Sequence, residues 1–480
     1  MPDPLAEYRK KRDFSKTPEP AGAGTLPASE LPRFVIQEHH ATALHWDFRL
    51  ERDGVLVSWA VPKGLPRDQR ARHLAVRTED HPLEYLEFQG TIPEGSYGAG
   101  EVRIWDSGTY EPLRFDEREV VVRLHGRRLR GTYGLYRTGE RDWLIHRKDP
   151  PEPGWEPIPE RLAPMLATLG PLPPSGEGWA FEVKWDGVRA LAYVDAGRLR
   201  LESRRGNDIT VTFPELKALG PALASAPIVL DGEIVAFDDR QVPSFERLQE
   251  RLGVTDEAKA KRLAERVPAV YVIFDLLYFD GHLTLPLPYR ERRRLLESLE
   301  IEGPAWRTPR ALYGEPAAIF EAVRQQGLEG VVAKRIESPY EPGRRSPAWV
   351  KVKVRHRQEF VVIGWTPRQG AGFGDIGALL LGYYEGDRLR YAGRAGSGLD
   401  ERTASMLARA LEQLEVPQCP VDEPDLPAGA RFVRPELVVE VEFAGWTENG
   451  RLRAPVFRGI RPDADPRSVV REDQAGTAST

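Results

Sequence analysis

Short runs in which apolar and polar residues alternate dominate the first third of the chain. RFVIQEH, HWDFRLER, VLVSWAV, HLAVRTE, EVRIWDSG, EVVVRLHG and GTYGLYRT follow one another between residues 33 and 148, with turn residues between them. A period of two sends every other side chain to one face, so this spacing predicts an all-β barrel or sandwich. Residues 163–355 read differently. Strand-like runs (WAFEVKW, RALAYVD, RLRLESR, PIVLDGEIVAF, AVYVIFDLLYF, GVVAKR, AWVKVKV) are interrupted by SFERLQERL, YRERRRLLESLE and EPAAIFEAVRQQG, which have helical spacing. That mixture predicts an α+β unit with extensive sheet. Residues 356–465 return to short strands (EFVVIGW, GALLLGYYE, RLRYAGRAG, LVVEVEFAGW) around one helical pattern, ERTASMLARALEQL.

The last of these stretches has the size and make-up of a small Greek-key β-barrel of the OB type. Composition supplies the boundaries. PEPAGAGTLPASELP (18–32) predicts a partly flexible arm over 1–32, and DPPEPGWEPIPE (149–160), with five prolines in twelve residues, predicts a stiff spacer over 149–162. REDQAGTAST closes a polar tail over 466–480, expected to be disordered at its end. A chain of 480 residues exceeds one ordinary core, so the expectation is multidomain: a β-barrel or sandwich at 33–148, an α+β domain at 163–355 and an OB barrel at 356–465.

Composition then narrows the class. Hydrophobic residues make up 41% and charged residues 29%, as in soluble globular proteins. MPDPLAEYRKKRDF lacks the apolar stretch of a secretory signal, and Asp275 breaks the longest apolar run, so neither export nor a membrane span is expected. The lone Cys419 fits a reducing, cytoplasmic setting. A net charge of −5 gives no global sign of a polyanion partner, but local charge does. Arg123, Arg127, Arg128, Arg130, Arg137, Arg141, Arg147 and Lys148 crowd one stretch; Arg344, Arg345, Lys351, Lys353, Arg355 and Arg357 crowd another. Such clusters predict faces that meet phosphates.

Candidate chemistry centres on FEVKWDGVRA (181–190). Alternation sends Phe181 and Val183 one way and Glu182 and Lys184 the other, and Asp186-Gly187 supplies the turn that follows. Asp231 and Glu233 share a face in VLDGEIVAF, and Lys351 and Lys353 share one in AWVKVKV. Several strands thus offer lysines and carboxylates to one cleft; lysines suit phosphates, and carboxylates suit a divalent metal bridging them.

KWDGVR resembles the nucleotidyl-lysine motif of ATP-dependent DNA ligases. The resemblance extends in order through ESRRGND, DGEIV, VIFDLLYFDG, LEGVVAKR, WVKVKV and PVFRGIRPD, covering roughly 163–465. It implies that Lys184 is the nucleophile that becomes adenylated and that ATP is the nucleotide. It further implies that Glu182 reads the adenine side, Phe274 stacks on the purine, Arg189 and Arg204 hold the sugar and the DNA phosphate, and Glu233 and Glu329 bind Mg or Mn. Lys351 and Lys353 would hold the α-phosphate, and Arg458 and Arg461 would guide pyrophosphate. A lysine amine must be neutral to attack, and burial with the cations Arg189, Lys351 and Lys353 is expected to lower the Lys184 pKa.

Histidines form the second candidate site. In HHATALHWDFRLE, alternation places His45, Asp47 and Arg49 on one face and Trp46, Phe48 and Leu50 on the other, with His39 or His40 just upstream. Imidazoles, a carboxylate and a guanidinium on one surface suit a divalent metal and an oxyanion clamp. EDHPLEY adds His81, which could donate a proton to a leaving oxygen or contact a phosphate, and Tyr85. Residues 9–148 resemble the 3′-phosphoesterase domain that accompanies bacterial DNA ligase D, whose family removes a terminal ribonucleoside and then a 3′-phosphate. The resemblance places His39, His45 and Asp47 on its metal ligands, with Mn or another divalent transition metal as occupant. It places Arg49, His81 and Tyr85 on active-site residues, and Arg12, Asp13 and Glu19 near them.

Together these readings imply an enzyme that heals and seals double-stranded DNA nicks and breaks in bacterial non-homologous end joining. Bacterial Ku is the expected recruiter, and a polymerase is expected in trans because no segment reads as one. The alternatives are another covalent nucleotidyltransferase (RNA ligase or capping type), a catalytically lapsed DNA-end binding scaffold, or a phosphoesterase with a vestigial partner domain.

Overall fold

The computed structural model describes residues 3–472, apart from 23–26, 28, 355, 369–375, 422–425, 428 and 448. The expectations for Arg355 and for the end of the tail, 473–480, lie outside the described residues.

The first unit is a closed eight-stranded antiparallel barrel. Its strands run Arg33–His40, Leu44–Arg52, Val55–Val61, His73–Arg77, Gly100–Phe115, Glu119–Gly126, Arg130–Arg137 and Asp142–Arg147, and pairing of the first with Gly100–Phe115 closes the circle. Closure removes the exposed edges that a sandwich of this length would leave. The inward set Trp46, Phe48 and Leu50 joins Phe34, Trp59 and Trp143 in one core. The arm is not loose where it is described: helix Ala6–Lys10 buries Tyr8 completely, and Tyr8 packs with Val35, Leu56 and Tyr85.

The α+β unit carries two sheets. One has the strand order Leu166–Leu169, Arg345–Lys353, Gly330–Arg335, Trp179–Val183. The other is built on Arg198–Ser203, Val188–Asp195, Ile228–Ala236 and Ala269–Phe279. Helices Tyr289–Ser298 and Pro316–Gln325 fall where helical spacing predicts them. SFERLQERL yields only Phe245–Gln249, N-capped by Ser244, and a further helix, Glu257–Arg266, starts at Asp256, whose carboxylate accepts from the Lys259 amide. The third unit is an OB barrel. Its long strand His356–Pro367 pairs with Ile376–Glu385 and with Val438–Phe443. Val438–Phe443 pairs with Val456–Ile460, and a parallel bridge between Ser397 and Val456 completes the barrel, with helix Glu401–Glu412 inserted before it.

The first barrel packs on the back of the α+β unit. The Ser225 carbonyl accepts from Trp105 Nε1 (2.7 Å) and Arg128 Nη2 (2.8 Å), and Asp280 bridges Arg67 (2.8 Å) and Arg128 (3.4 Å). The proline-rich spacer is laid along the same face: the Glu156 amide donates to the Gly281 carbonyl and Tyr278 Oη to the Glu156 carbonyl. Two residues of the first basic cluster are spent inside the protein, and the other six stay exposed. Arg128 is an interdomain contact, Arg147 is buried against Tyr133, and Arg123 pairs with Glu111. Among the described residues, no helix is long and apolar enough to cross a membrane.

Candidate functional site

The strand Trp179–Val183 ends one residue before Lys184, and the chain then turns through Trp185-Asp186-Gly187 onto Val188–Asp195 of the other sheet. Gly187 is required by close approach: a Cβ there would sit 2.2 Å from the Ile234 carbonyl oxygen. The turn therefore presses onto the strand that carries Asp231 and Glu233, and Lys184 projects into the cleft between the sheets. Antiparallel pairing of Gly330–Arg335 with Arg345–Lys353 brings Val332 opposite Lys351, so Lys351 and Lys353 line the same cleft.

The cleft has an aromatic side and an anion side. Phe274 and Trp349 meet edge to face with ring centroids 6.5 Å apart, and the Arg189 guanidinium lies 4.6 Å from the Phe274 centroid. Glu182 accepts from Tyr289 Oη and pairs with Lys334 at 2.6 Å. Arg189 donates twice to the buried Asp231 (both 2.6 Å), which also accepts from Tyr340 Oη at 2.7 Å. Arg204 and Arg461 reach the cleft from opposite sides, both near Glu359 (3.3 and 3.8 Å). Arg458 does not line it; it pairs with Glu442 at 3.1 Å. Sequence reasoning missed Lys334, Trp349 and the carboxylates Glu359, Glu440, Asp463 and Glu472. Alternation in GVVAKR could have found Lys334, because Val331 and Ala333 are core and Val332 and Lys334 face the cleft.

Lys184 departs from expectation. Burial pulls its pKa down, but the opposing carboxylates of Glu329, Asp186 and Glu440 outweigh it, and the pKa is raised. Lys184 Nζ is in direct ion pair with Glu329, whose own pKa is held low by that charge. Arg189, expected to depress Lys184, is instead neutralised by Asp231. Glu233 is pushed up to about 8 by burial. Glu329 Oε1 is buried without a hydrogen-bond partner among the described residues. Glu233 lines the cleft, whereas Glu329 lies on the far side of Lys184 beside Asp186 and Arg357; each offers the carboxylate oxygens that a hard divalent cation takes.

The Asp231 network predicts a stability effect. Asp231→Asn removes the charge that balances a buried guanidinium, a change that costs about 3–5 kcal/mol. The expected result is a lower urea midpoint for the α+β unit, read by tryptophan fluorescence.

The histidine site is a hairpin. In the antiparallel register His39 lies opposite His45 and Gln37 opposite Asp47. That register explains the spacing of the two histidines and selects His39 over His40, whose Nε2 pairs with Glu38 at 2.6 Å. His39 Nε2 lies 2.9 Å from the Gly98 carbonyl, and His45 Nδ1 lies 2.9 Å from the Ala43 carbonyl. A carbonyl only accepts, so each ring spends its N–H there. The remaining nitrogens, His39 Nδ1 and His45 Nε2, face Asp47, 3.3 and 3.7 Å away. Two imidazole nitrogens and a carboxylate oxygen gathered within 4.8 Å are a donor set that fits a divalent transition metal.

Arg49 completes the wall: its guanidinium touches Asp47 (2.9 Å), Gln37 Oε1 (2.7 Å) and Ser58 Oγ (3.0 Å). Gln37 was missed from the sequence, though it shares the His39 face. Behind Arg49 lie His81 and Tyr85, both almost fully buried. Burial, Arg49 and Arg12 push the His81 pKa well below its ordinary value. The shift favours the neutral ring, which keeps a single N–H. Its Nδ1 faces the Glu79 carbonyl at 2.9 Å, and its Nε2 faces Arg12 Nη2 at 3.3 Å. Tyr85 donates to Glu19, which Arg12 also holds at 2.7 Å. Asp13 lies outside the site, bonded to Ser15.

Comparisons with known proteins find relatives for all three units. Residues 37–137 match the DNA Ligase D 3′-phosphoesterase domain, 164–353 the ATP dependent DNA ligase domain, and 372–464 the ATP dependent DNA ligase C terminal region. The multifunctional non-homologous end joining protein LigD of Mycobacterium bovis is 47% identical over 98% of this chain, which spans 61% of that relative's length. DNA ligase C1 of Mycolicibacterium smegmatis is 34% identical over 65% of this chain and 94% of its own. A solved structure, mycobacterial DNA ligase D complexed with ATP and MES, is 42% identical, covering 65% of this chain and 98% of that one, with a TM-score of 0.49. The chain belongs to the ATP-dependent DNA ligase family and carries, ahead of the ligase domain, the 3′-phosphoesterase domain of DNA ligase D.

Proposed function

We propose that the chain heals 3′ ends and then seals 3′-OH/5′-phosphate breaks in double-stranded DNA through a lysyl-AMP intermediate. The observation that carries the reading is the position of Lys184 Nζ: at a strand end, in a cleft with an aromatic side at Phe274 and Trp349 and two lysines, Lys351 and Lys353, on the other. ATP fits that division, with its purine on the aromatic side and its phosphates on the lysines.

Sealing has three transfers. Neutral Lys184 Nζ attacks the α-phosphorus and pyrophosphate leaves; AMP passes to the DNA 5′-phosphate; the 3′-OH attacks and AMP departs. In the resting state Glu329 holds Lys184 protonated, so breaking that ion pair is the first requirement for attack. Glu233 and Glu329 would hold Mg or Mn, which supplies charge neutralisation at the phosphates when bound. Lys351 and Lys353 stabilise the charge that develops on the α-phosphate, and Arg461 reaches in from the OB barrel toward the departing pyrophosphate. Arg458 belongs to a face that comes into play only if the OB barrel reorients.

Healing uses the hairpin. His39, His45 and Asp47 would hold Mn or another divalent transition metal, which supplies a Lewis acid to a 3′-phosphate. Arg49 clamps a phosphate oxygen, and Tyr85 keeps its proton because burial raises its pKa. A healing domain tethered to a sealing domain acts on the product at high local concentration. Bacterial Ku, a separate polymerase and a cytoplasmic setting at the nucleoid complete the proposal. The test is incubation with α-labelled ATP or GTP and then with a DNA nick bearing a 3′-phosphate. Covalent label from ATP followed by sealing supports the reading; label from GTP alone, or none, removes it.

Lys351 provides a pH prediction. Burial, then Lys353, lower its pKa to about 8 from 10.5. The free enzyme therefore loses the Lys351 charge as pH rises through about 8, whereas Lys184 gains nucleophilicity as it loses its proton. The expected result is opposite trends in self-adenylation: above that pH the KM for ATP rises, by at most about tenfold per unit, while the saturating rate does not fall. Lys351→Arg, always charged, is expected to flatten the KM profile.

A further inference from the structure

The segment after the OB barrel turns back into the nucleotide cleft. Residues Pro466–Ser468 make a single tight turn, after which the Val469 carbonyl accepts from the Tyr384 amide. Gln358, buried at 3% exposure, then grips the chain with both ends of its amide. Its Nε2 donates to the Val470 carbonyl and its Oε1 accepts from the Glu472 amide, both at 3.0 Å. Arg471 lies 4.7 Å over the Trp446 ring. These contacts aim one side chain. The Glu472 carboxylate pairs directly with Lys351 and lies 3.4 Å from Lys353 Nζ, and all three side chains are no more than 17% exposed.

A carboxylate on two lysines is what a phosphate oxygen pair would look like to them. Lys353, Lys351 and Arg345 hold the Glu472 pKa far below the usual carboxylate range against the pull of burial, so it carries a full negative charge. Both lysines face into the cleft beside Lys184. They cannot hold Glu472 and the α-phosphate oxygens in one place.

We propose that Glu472 is a built-in phosphate surrogate, filling the anion site made by Lys351 and Lys353 when no nucleotide is bound and displaced by the phosphates of ATP. Residues 469–472 then leave the mouth of the cleft as ATP enters. The inference rests on the reading of Lys351 and Lys353 as phosphate-binding residues. Its consequence is a tax on nucleotide affinity: only the fraction of molecules with Glu472 withdrawn is competent to bind. While in place, the carboxylate also holds the two lysine ammonium groups side by side, so the anion site is preformed.

The test uses the full chain and two readouts. In single-turnover self-adenylation with α-labelled ATP and magnesium, Glu472→Gln is expected to lower the KM for ATP by about threefold or more with the saturating rate unchanged. In the wild type, α,β-methylene-ATP with magnesium is expected to speed amide hydrogen exchange over 469–472, the reverse of the slowing that ligand binding ordinarily brings. A KM that stays put or rises in Glu472→Gln while the label still forms, or exchange over 469–472 that slows with nucleotide, overturns the inference. Failure of the wild type to take any label overturns instead the ligase reading beneath it, and the surrogate role falls with it.

Discussion

Lys184→Ala takes up no label from α-labelled ATP, and its sealing of a 3′-OH/5′-phosphate nick falls by at least about 10⁴-fold. The same variant is expected to retain sealing of a nick whose 5′-phosphate already carries AMP, because only the first two transfers pass through the lysine. The contrast matters because the substitution has a second effect. Glu329 loses its partner and is left as a buried carboxylate near Asp186, whose pKa is already raised by burial and then by Glu440 and Glu329. Loss of one partner of a buried pair is costly, so a general collapse would remove both activities together. Retained sealing of the adenylated nick, with an unchanged circular dichroism spectrum, assigns the loss to chemistry. Covalent AMP on the alanine variant would sink the mechanism.

His39→Ala and Asp47→Asn are expected to separate the two activities. Each removes a proposed metal ligand from the hairpin site, and removal of 3′-phosphate should fall by about 10²–10³-fold, the scale of losing one strong electrostatic contact in a reacting centre. Sealing of a nick that already has a 3′-OH should proceed at the wild-type rate. The prediction is demanding, since the hairpin touches the ligase domain: Ser225 Oγ donates to Glu38 at 2.8 Å, and Leu44 packs at Gly197. If the two sites were mechanically linked through that contact, both rates would drop. His40→Ala, whose ring pairs with Glu38 and points away from Asp47, is the control and is expected to heal at close to the wild-type rate.

The legibility of these sites from sequence differed for a physical reason. Alternation was enough where a strand has one core face. Trp46, Phe48 and Leu50 had to go inward, which fixed His45, Asp47 and Arg49 on the opposite side. The same logic put Lys351 and Lys353 in the cleft. Pairing register was not legible, so the choice between His39 and His40 stayed open until the hairpin set His39 against His45. Neither was the use of the basic residues: Arg128 and Arg147 look like a phosphate-binding face in a string of letters and are interdomain and core contacts in space.

Electrostatic state was the least legible property. The expected fall in the Lys184 pKa assumed that the nearest charges were the cations close to it in the motif series. Glu329, 145 residues away, is the nearest, and Asp231 has already neutralised Arg189. A charge interaction decays with distance in space and screening by solvent, and neither is written in chain order. His81 shows the same thing: burial, then Arg49 and Arg12, push its pKa down, a shift that EDHPLEY does not announce.

By itself the sequence determined the three-unit fold class and the strand faces that carry Lys351, Lys353, His45 and Asp47, because periodicity and residue chemistry are local. Tertiary structure alone decided which charges meet. It set Glu329 on Lys184, Glu472 on Lys351, and the first barrel on the Ser225 loop, since each of those contacts joins segments that only the closing of sheets and the packing of domains brings within a few ångströms.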